Sequence, residues 1–262
     1  MTRKRWTVRV LGLVLGLSAT RLFAPWVCGA DAPGWLNGDA ALQNGLAEEL
    51  IAFETRDDSE RAQAPKAAPS DRFGGEWALV THQMTALGLA QLCLAQPELR
   101  ARYAPLATQA ALKSMLPEMR NFGTRAWHGE DAMQSLAGSH GHAYLAYAAL
   151  AVSMARLVDP AFPAQRAASH DALIAAFERR LLASDTGLIE TYPNQAYPTD
   201  VAAVAAAIAV HGRATGTNHA RVLQHWLARV RARQIDPQSG FVYQRMSATS
   251  GRAHDQPRGS GT

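Results

Sequence analysis

From about residue 40 onward, apolar positions recur at helical spacing, and the strict apolar–polar alternation of strands is almost absent. The spacing predicts helices over 40–54, 76–95, 104–120, 143–158, 164–183, 200–215 and 218–234. Residues 56–72 are polar, carry two prolines and read as a loop or linker. The expected fold class is therefore all-α. One segment stands out within it. Tyr192-Pro193 and Tyr197-Pro198 make a rigid, non-helical lead-in, because proline fixes its own φ and pushes the preceding residue out of the α region. Thr199 or Asp200 then offers a side-chain oxygen to cap the next helix. That helix, Val201–Val210, is apolar nearly all round and is expected to be buried on every side.

The helices alternate between two kinds. Ala143–Val158 and Val201–Val210 are alanine-rich with few charges, whereas Gln165–Leu182 and His219–Gln234 are amphipathic. The first kind is expected inside and the second outside. The inner helices open near His142 and Asp200, 58 residues apart, and their outer partners near Ala164 and Asn218, 54 apart. The loops echo each other too: Asp185-Thr186-Gly187-Leu188-Ile189 resembles Gln238-Ser239-Gly240-Phe241-Val242. A fixed period of this size signals a repeated helical hairpin. Such hairpins close into a double-layered (α/α) toroid or stack into an open solenoid, and the long aromatic loops favour the toroid. The period places another inner helix just beyond Pro257–Thr262, so the toroid is expected to be incomplete at its C-terminal end.

Composition suits a globular chain with a large core, with 48% apolar and 18% charged residues. The net charge of +4 resides in the N-terminal segment, since Arg3, Lys4, Arg5, Arg9 and Arg21 face no acid within residues 1–30. What remains is nearly neutral and has no basic tract, so no nucleic-acid partner is expected. Residues 1–30 read as an export signal. Arg3-Lys4-Arg5 is the positive region, Val10–Thr20 the apolar run, and Cys28-Gly29-Ala30 supplies small residues before a cut at Asp31. The toroid domain would then span 31–262, and the mature protein would be periplasmic or extracellular. Membrane attachment would arise only if this segment stayed uncleaved. After cleavage Cys93 is the sole cysteine, set in an apolar helical run as a core residue, so neither a disulfide nor a cysteine-based zinc site is expected.

In a toroid, the loops that enter the inner helices gather at one mouth. Gly74-Gly75-Glu76-Trp77 with His82, Trp127 through His142, Tyr192 through Asp200, and Tyr243 with Arg245, His254 and Arg258 would then be neighbours. Asp200, Glu130 and Asp131 are the proton-transfer candidates, with Tyr192 and His142 beside them as orienting groups. Trp77, Trp127, Tyr197, Tyr243 and Arg258 are the substrate-binding candidates. Plainer roles stay open: Asp200 as a helix cap, the tyrosines as loop anchors, Glu130 and Asp131 as dipole-favoured helix-start charges. His140 and His142 lack a fixed third ligand, so no metal is expected. His211, His219 and His225 read as surface or packing residues. No phosphate loop, dinucleotide fingerprint or nucleophile elbow is present, which argues against a nucleotide-dependent enzyme or a serine hydrolase.

The loop Ile189–Pro193 through Tyr197–Asp200, the helix after it, and Pro257-Arg258-Gly259-Ser260-Gly261 resemble the α/α-toroid proteins grouped with linalool dehydratase/isomerase. More distantly they resemble toroid glycosidases, polysaccharide lyases and sugar epimerases. The resemblance covers about residues 74–262. It implies a six-hairpin ring, export, and acid–base chemistry without a cofactor on a hydroxylated small molecule or carbohydrate. A non-catalytic binding or scaffold protein on the same helical array is the other reading.

Overall fold

The computed structural model describes residues 3–30, 33–34, 38–55 and 71–257. The chain divides into two units, Met1–Ala52 and Phe53–Thr262. The first holds α1 (Arg3–Cys28) and nearly all of α2 (Ala40–Glu54). Asp39 caps α2 by accepting hydrogen bonds from the Ala41 and Leu42 amides, 2.9 and 3.0 Å. On α1, Leu13, Leu15, Leu17, Phe23 and Val27 are exposed.

The second unit is all-α among the described residues. Its helices are α3 (Asp71–Ala95), α4 (Arg100–Ser114), α5 (Pro117–Ala126), α6 (Ala146–Val158), α7 (Ala164–Ala183), α8 (Pro198–Thr215) and α9 (Ala220–Arg229). A 3₁₀ turn, Ala143–Leu145, leads into α6, and a π turn, Val230–Gln234, ends α9. No strand forms among these residues, only isolated bridges such as Ala196 to Met246.

Three helices lie side by side in the order α3, α6, α8, and their partners cover them: α4 on α3 and α6, α7 on α6 and α8, α9 on α7. The sequence explains each layer. α6 is alanine-rich, and Ala146, Ala148, Ala149, Ala151 and Ala155 are fully buried, so neighbouring backbones approach closely. α7 presents Leu173, Ile174, Phe177 and Leu181 on one stripe, all buried, while its other face carries charge. Each such side chain contributes about 1.5–3 kcal/mol on leaving water. Cys93 is buried in α3, as its apolar surroundings suggest.

Several elements differ from their expected form. The 104–120 segment is two helices, because Leu116 precedes Pro117 and is driven to ψ 148°, which stops α4 and restarts the chain as α5. α4 also begins at Arg100 rather than 104, so that Pro105 lies inside it. α3 begins at Asp71 rather than 76, so only 56–70 of the expected linker remain, and these fall outside the described residues. α8 is not buried all round: Ala202 and Ala209 are exposed on one stripe. The echo between loops is visible in the backbone, since Gly187 and Gly240 take left-handed φ values of 72° and 73° at matching positions.

Candidate functional site

The side-by-side packing of α3, α6 and α8 brings their N-terminal ends together around a cavity of 470 Å³. Glu76 and Trp77 reach it from α3, Tyr144 and Tyr147 from the start of α6, and Tyr197 and Asp200 from the start of α8. Thr191 and Tyr192 enter from the loop before α8, and Phe122 from α5. That loop is built by its prolines and asparagine. Tyr192 and Gln195 bond to each other through their backbones, and Asn194 adopts φ 63° directly after Pro193. A type II turn requires a positive φ at its third residue and favours proline at its second. The next residue, Ala196, exchanges two backbone hydrogen bonds with Met246, which fixes the loop to the chain beyond α9.

Asp200 does not cap α8. Tyr197 is the capping residue, without a side-chain bond, and Pro198 fills the first helical position, where its missing N–H costs nothing. The Asp200 carboxylate instead accepts two hydroxyl hydrogen bonds, from Tyr147 Oη at 2.8 Å and from Thr191 Oγ1 at 2.6 Å. Desolvation by the protein around it pushes its pKa up, the charge of Glu76 adds to this, and the two hydroxyls oppose it. Tyr192 donates its hydroxyl to Glu76, and its ring lies under the Arg72 guanidinium, 4.6 Å away, and parallel to Tyr144. Burial, and then the neighbouring carboxylates, push the Tyr147 and Tyr192 phenols far above their ordinary range, so both stay protonated donors.

Of the residues singled out in the sequence, Asp200, Tyr192, Tyr197 and Trp77 do converge. Glu130, Asp131, His142, Trp127 and Tyr243 do not line this cavity. Glu130 is exposed and bonds His142 Nε2 at 3.1 Å. That bond comes first in holding its pKa low. Asp131 pairs with Arg120 at 2.7 Å and accepts the Met133 amide. Although burial pushes its carboxyl up, these partners outweigh it and hold it low. Both are carboxylates tied into one loop, which is the reverse of what a proton donor needs. His142 is buried, burial lowers its pKa, and its backbone is left-handed with φ 65°. The buried Arg180 pins that loop by donating to the carbonyls of Ser135, Gly138 and Gly141. Trp127 packs on His142 with ring centres 4.5 Å apart, and its indole N–H donates to the Thr191 carbonyl at 3.0 Å. It therefore supports the residue that bonds Asp200 without reaching the cavity. Tyr243 lies elsewhere and donates to Asp236, and Arg258 falls outside the described residues.

Of the residues around the carboxylate pair, Tyr147 and Thr191 went unassigned in the sequence, and Glu76 was placed at the mouth without a role. Glu76 was visible as the start of an inner helix, and its partnership with Tyr192 spans 116 positions that no local pattern links. Tyr147 and Thr191 look like core and loop residues until the fold places them against Asp200. His82, expected near Glu76, bonds the buried Glu54 at 2.9 Å instead.

Of the surface and packing roles open to them, His211 and His219 take the packing one: both are buried. His211 Nδ1 and His219 Nε2 are 2.8 Å apart, and the outer nitrogens bond Asp171 and Glu178, at 2.8 and 2.7 Å. Their short separation requires one proton between the two rings. His170, Asp171 and His211 are close enough to suggest a metal centre. However, Arg156 already supplies the positive charge, with one guanidinium nitrogen 3.0 Å from His170 Nδ1 and in contact with Asp171. His140 and His142 join no such group among the described residues.

Comparison with protein-family models finds no match to this chain, and comparison with curated proteins finds none either.

Proposed function

We propose that residues 53–262 belong to an α/α-toroid enzyme of the linalool dehydratase/isomerase-like group, carrying out acid–base chemistry on a hydroxyl-bearing small molecule. The observation that carries this reading is the pairing of two carboxylates in one aromatic cavity, each held by phenol or hydroxyl donors. Burial drives Asp200 toward its protonated form, and Glu76 accepts the Tyr192 hydroxyl beside it. In a dehydration, Asp200 gives its proton to the substrate hydroxyl, the C–O bond breaks and water leaves. The proton on the adjacent carbon passes to the Tyr192 oxygen as that phenol hands its own proton to Glu76, and the C–H electron pair becomes the C=C bond. Asp200 ends as a carboxylate and Glu76 as an acid, and exchange with solvent restores both. The buried Cys93 does not line the cavity, so the proton steps fall to the oxygen acids.

Few polar groups line the cavity beside these, which favours a compact alcohol over an oligosaccharide that needs many hydrogen bonds. The toroid reading rests on the two-layered packing of α3 to α9 and on the repeated loop turn at Gly187 and Gly240. Turnover of a panel of alcohols by the full-length protein tests the reaction. Asp200→Asn is expected to keep the wild-type circular dichroism spectrum and lose at least about a hundredfold in rate, the usual scale of a general acid. Wild-type turnover in that variant would remove Asp200 from the mechanism. Export is part of the same proposal and rests on the residue 1–30 pattern. Mass spectrometry of the extracytoplasmic protein is expected to find a chain beginning at Asp31, and an intact Met1 terminus there would contradict cleavage.

A further inference from the structure

We infer that this cavity selects a small organic cation, an alkylammonium group on the substrate or ligand, over its neutral analogue. The inference rests on the acid–base reading for the location of the site, and adds the charge of what enters it. Among the described residues, Glu76 and Asp200 are the only charged groups on the cavity wall, and no lysine, arginine or histidine lines it. The Arg72 guanidinium lies 4.6 Å over the Tyr192 ring and, among the described residues, forms no ion pair with either carboxylate. The Glu76 carboxylate faces a space bounded mostly by aromatic and apolar side chains, where a charge is poorly screened. A charge so placed is satisfied by a ligand of opposite sign.

The walls specify which kind of cation. Trp77, Phe122, Tyr147, Tyr192 and Tyr197 surround the carboxylates with aromatic surface. Trp77 keeps more than half of its surface open to solvent despite its size. Ring faces attract a diffuse, weakly hydrated ammonium, and carboxylates beside aromatic rings are the pattern that binds quaternary nitrogen. Calcium or magnesium fits poorly, because each takes six or more oxygen ligands and the cavity offers two carboxylates already engaged by hydroxyls.

Isothermal titration of the full-length protein with choline and with its neutral isostere, 3,3-dimethylbutan-1-ol, tests the inference. Choline is expected to bind about tenfold tighter or more, the scale of a desolvated cation–π contact with a nearby charge. Glu76→Gln is expected to erase that preference, bringing choline and its isostere to similar affinities. Trp77→Leu, at an exposed position, is expected to weaken choline severalfold and supplies the readout if Glu76→Gln fails to fold. Equal or tighter binding of the isostere overturns the inference, as does displacement of choline by millimolar magnesium. Asp200→Asn separates the two proposals: it is expected to abolish turnover while keeping the preference for choline. Turnover lost with no charge preference leaves the acid–base reading standing and sinks this one.

Discussion

Asp200 is freed for chemistry by the residue two places before it. Pro198 has no N–H to cap, so the third residue of α8 can turn its carboxylate toward Tyr147 and Thr191. The same logic of partners governs the buried histidines. Burial, reinforced by the Arg156 charge, lowers the His170 pKa to about 3, whereas an unfolded histidine titrates near ~6.5. Between these values the unfolded chain binds the proton and the folded protein does not. Stability is therefore full above the unfolded value and falls as pH drops through this window. The melting temperature is expected to decline steadily from pH 7 toward pH 4. His170→Gln is expected to flatten that decline while lowering the plateau at pH 7. An unchanged slope in the variant would show that His170 titrates normally in the folded protein.

At the scale of elements, the cavity depends on close approach. A Cβ on Gly123 would sit 2.1 Å from Cζ of Tyr144, so α5 touches the start of α6 only because that position is bare. Gly123→Ala is expected to cost about 1–3 kcal/mol in urea denaturation, the usual penalty of overpacking, and to displace the Tyr144 wall. A variant as stable as wild type would mean that α5 can shift without loss. The helices themselves were legible because 3.6-residue periodicity is a local signal, and α2 and α7 match their expected bounds. The break between α4 and α5 was written at Pro117, but continuous apolar spacing across it masked the signal. The Tyr-Pro loop was legible as a rigid lead-in, and Asn194 explains its turn. The true partners of Asp200 were not, since Tyr147 lies 53 positions away and no spacing rule connects them.

For the molecule as a whole, the row of α3, α6 and α8 turns three helix starts into one chamber, and the loop clusters around it hold its walls. This explains why the expected gathering of loops succeeded in part. Residues on or just before the inner helices reach the cavity, whereas Glu130, Asp131 and His142 lie on a connection that Arg180 draws aside. The central claim is that the chamber holds an acid poised by burial and by a second carboxylate. Titration of the Asp200 carboxyl by carbon-13 NMR measures this without any knowledge of the substrate. Asp200 is expected to titrate above the ordinary aspartate range, and Glu76→Gln is expected to bring it down. Titration at or below the ordinary range, or no response to Glu76→Gln, would contradict the account.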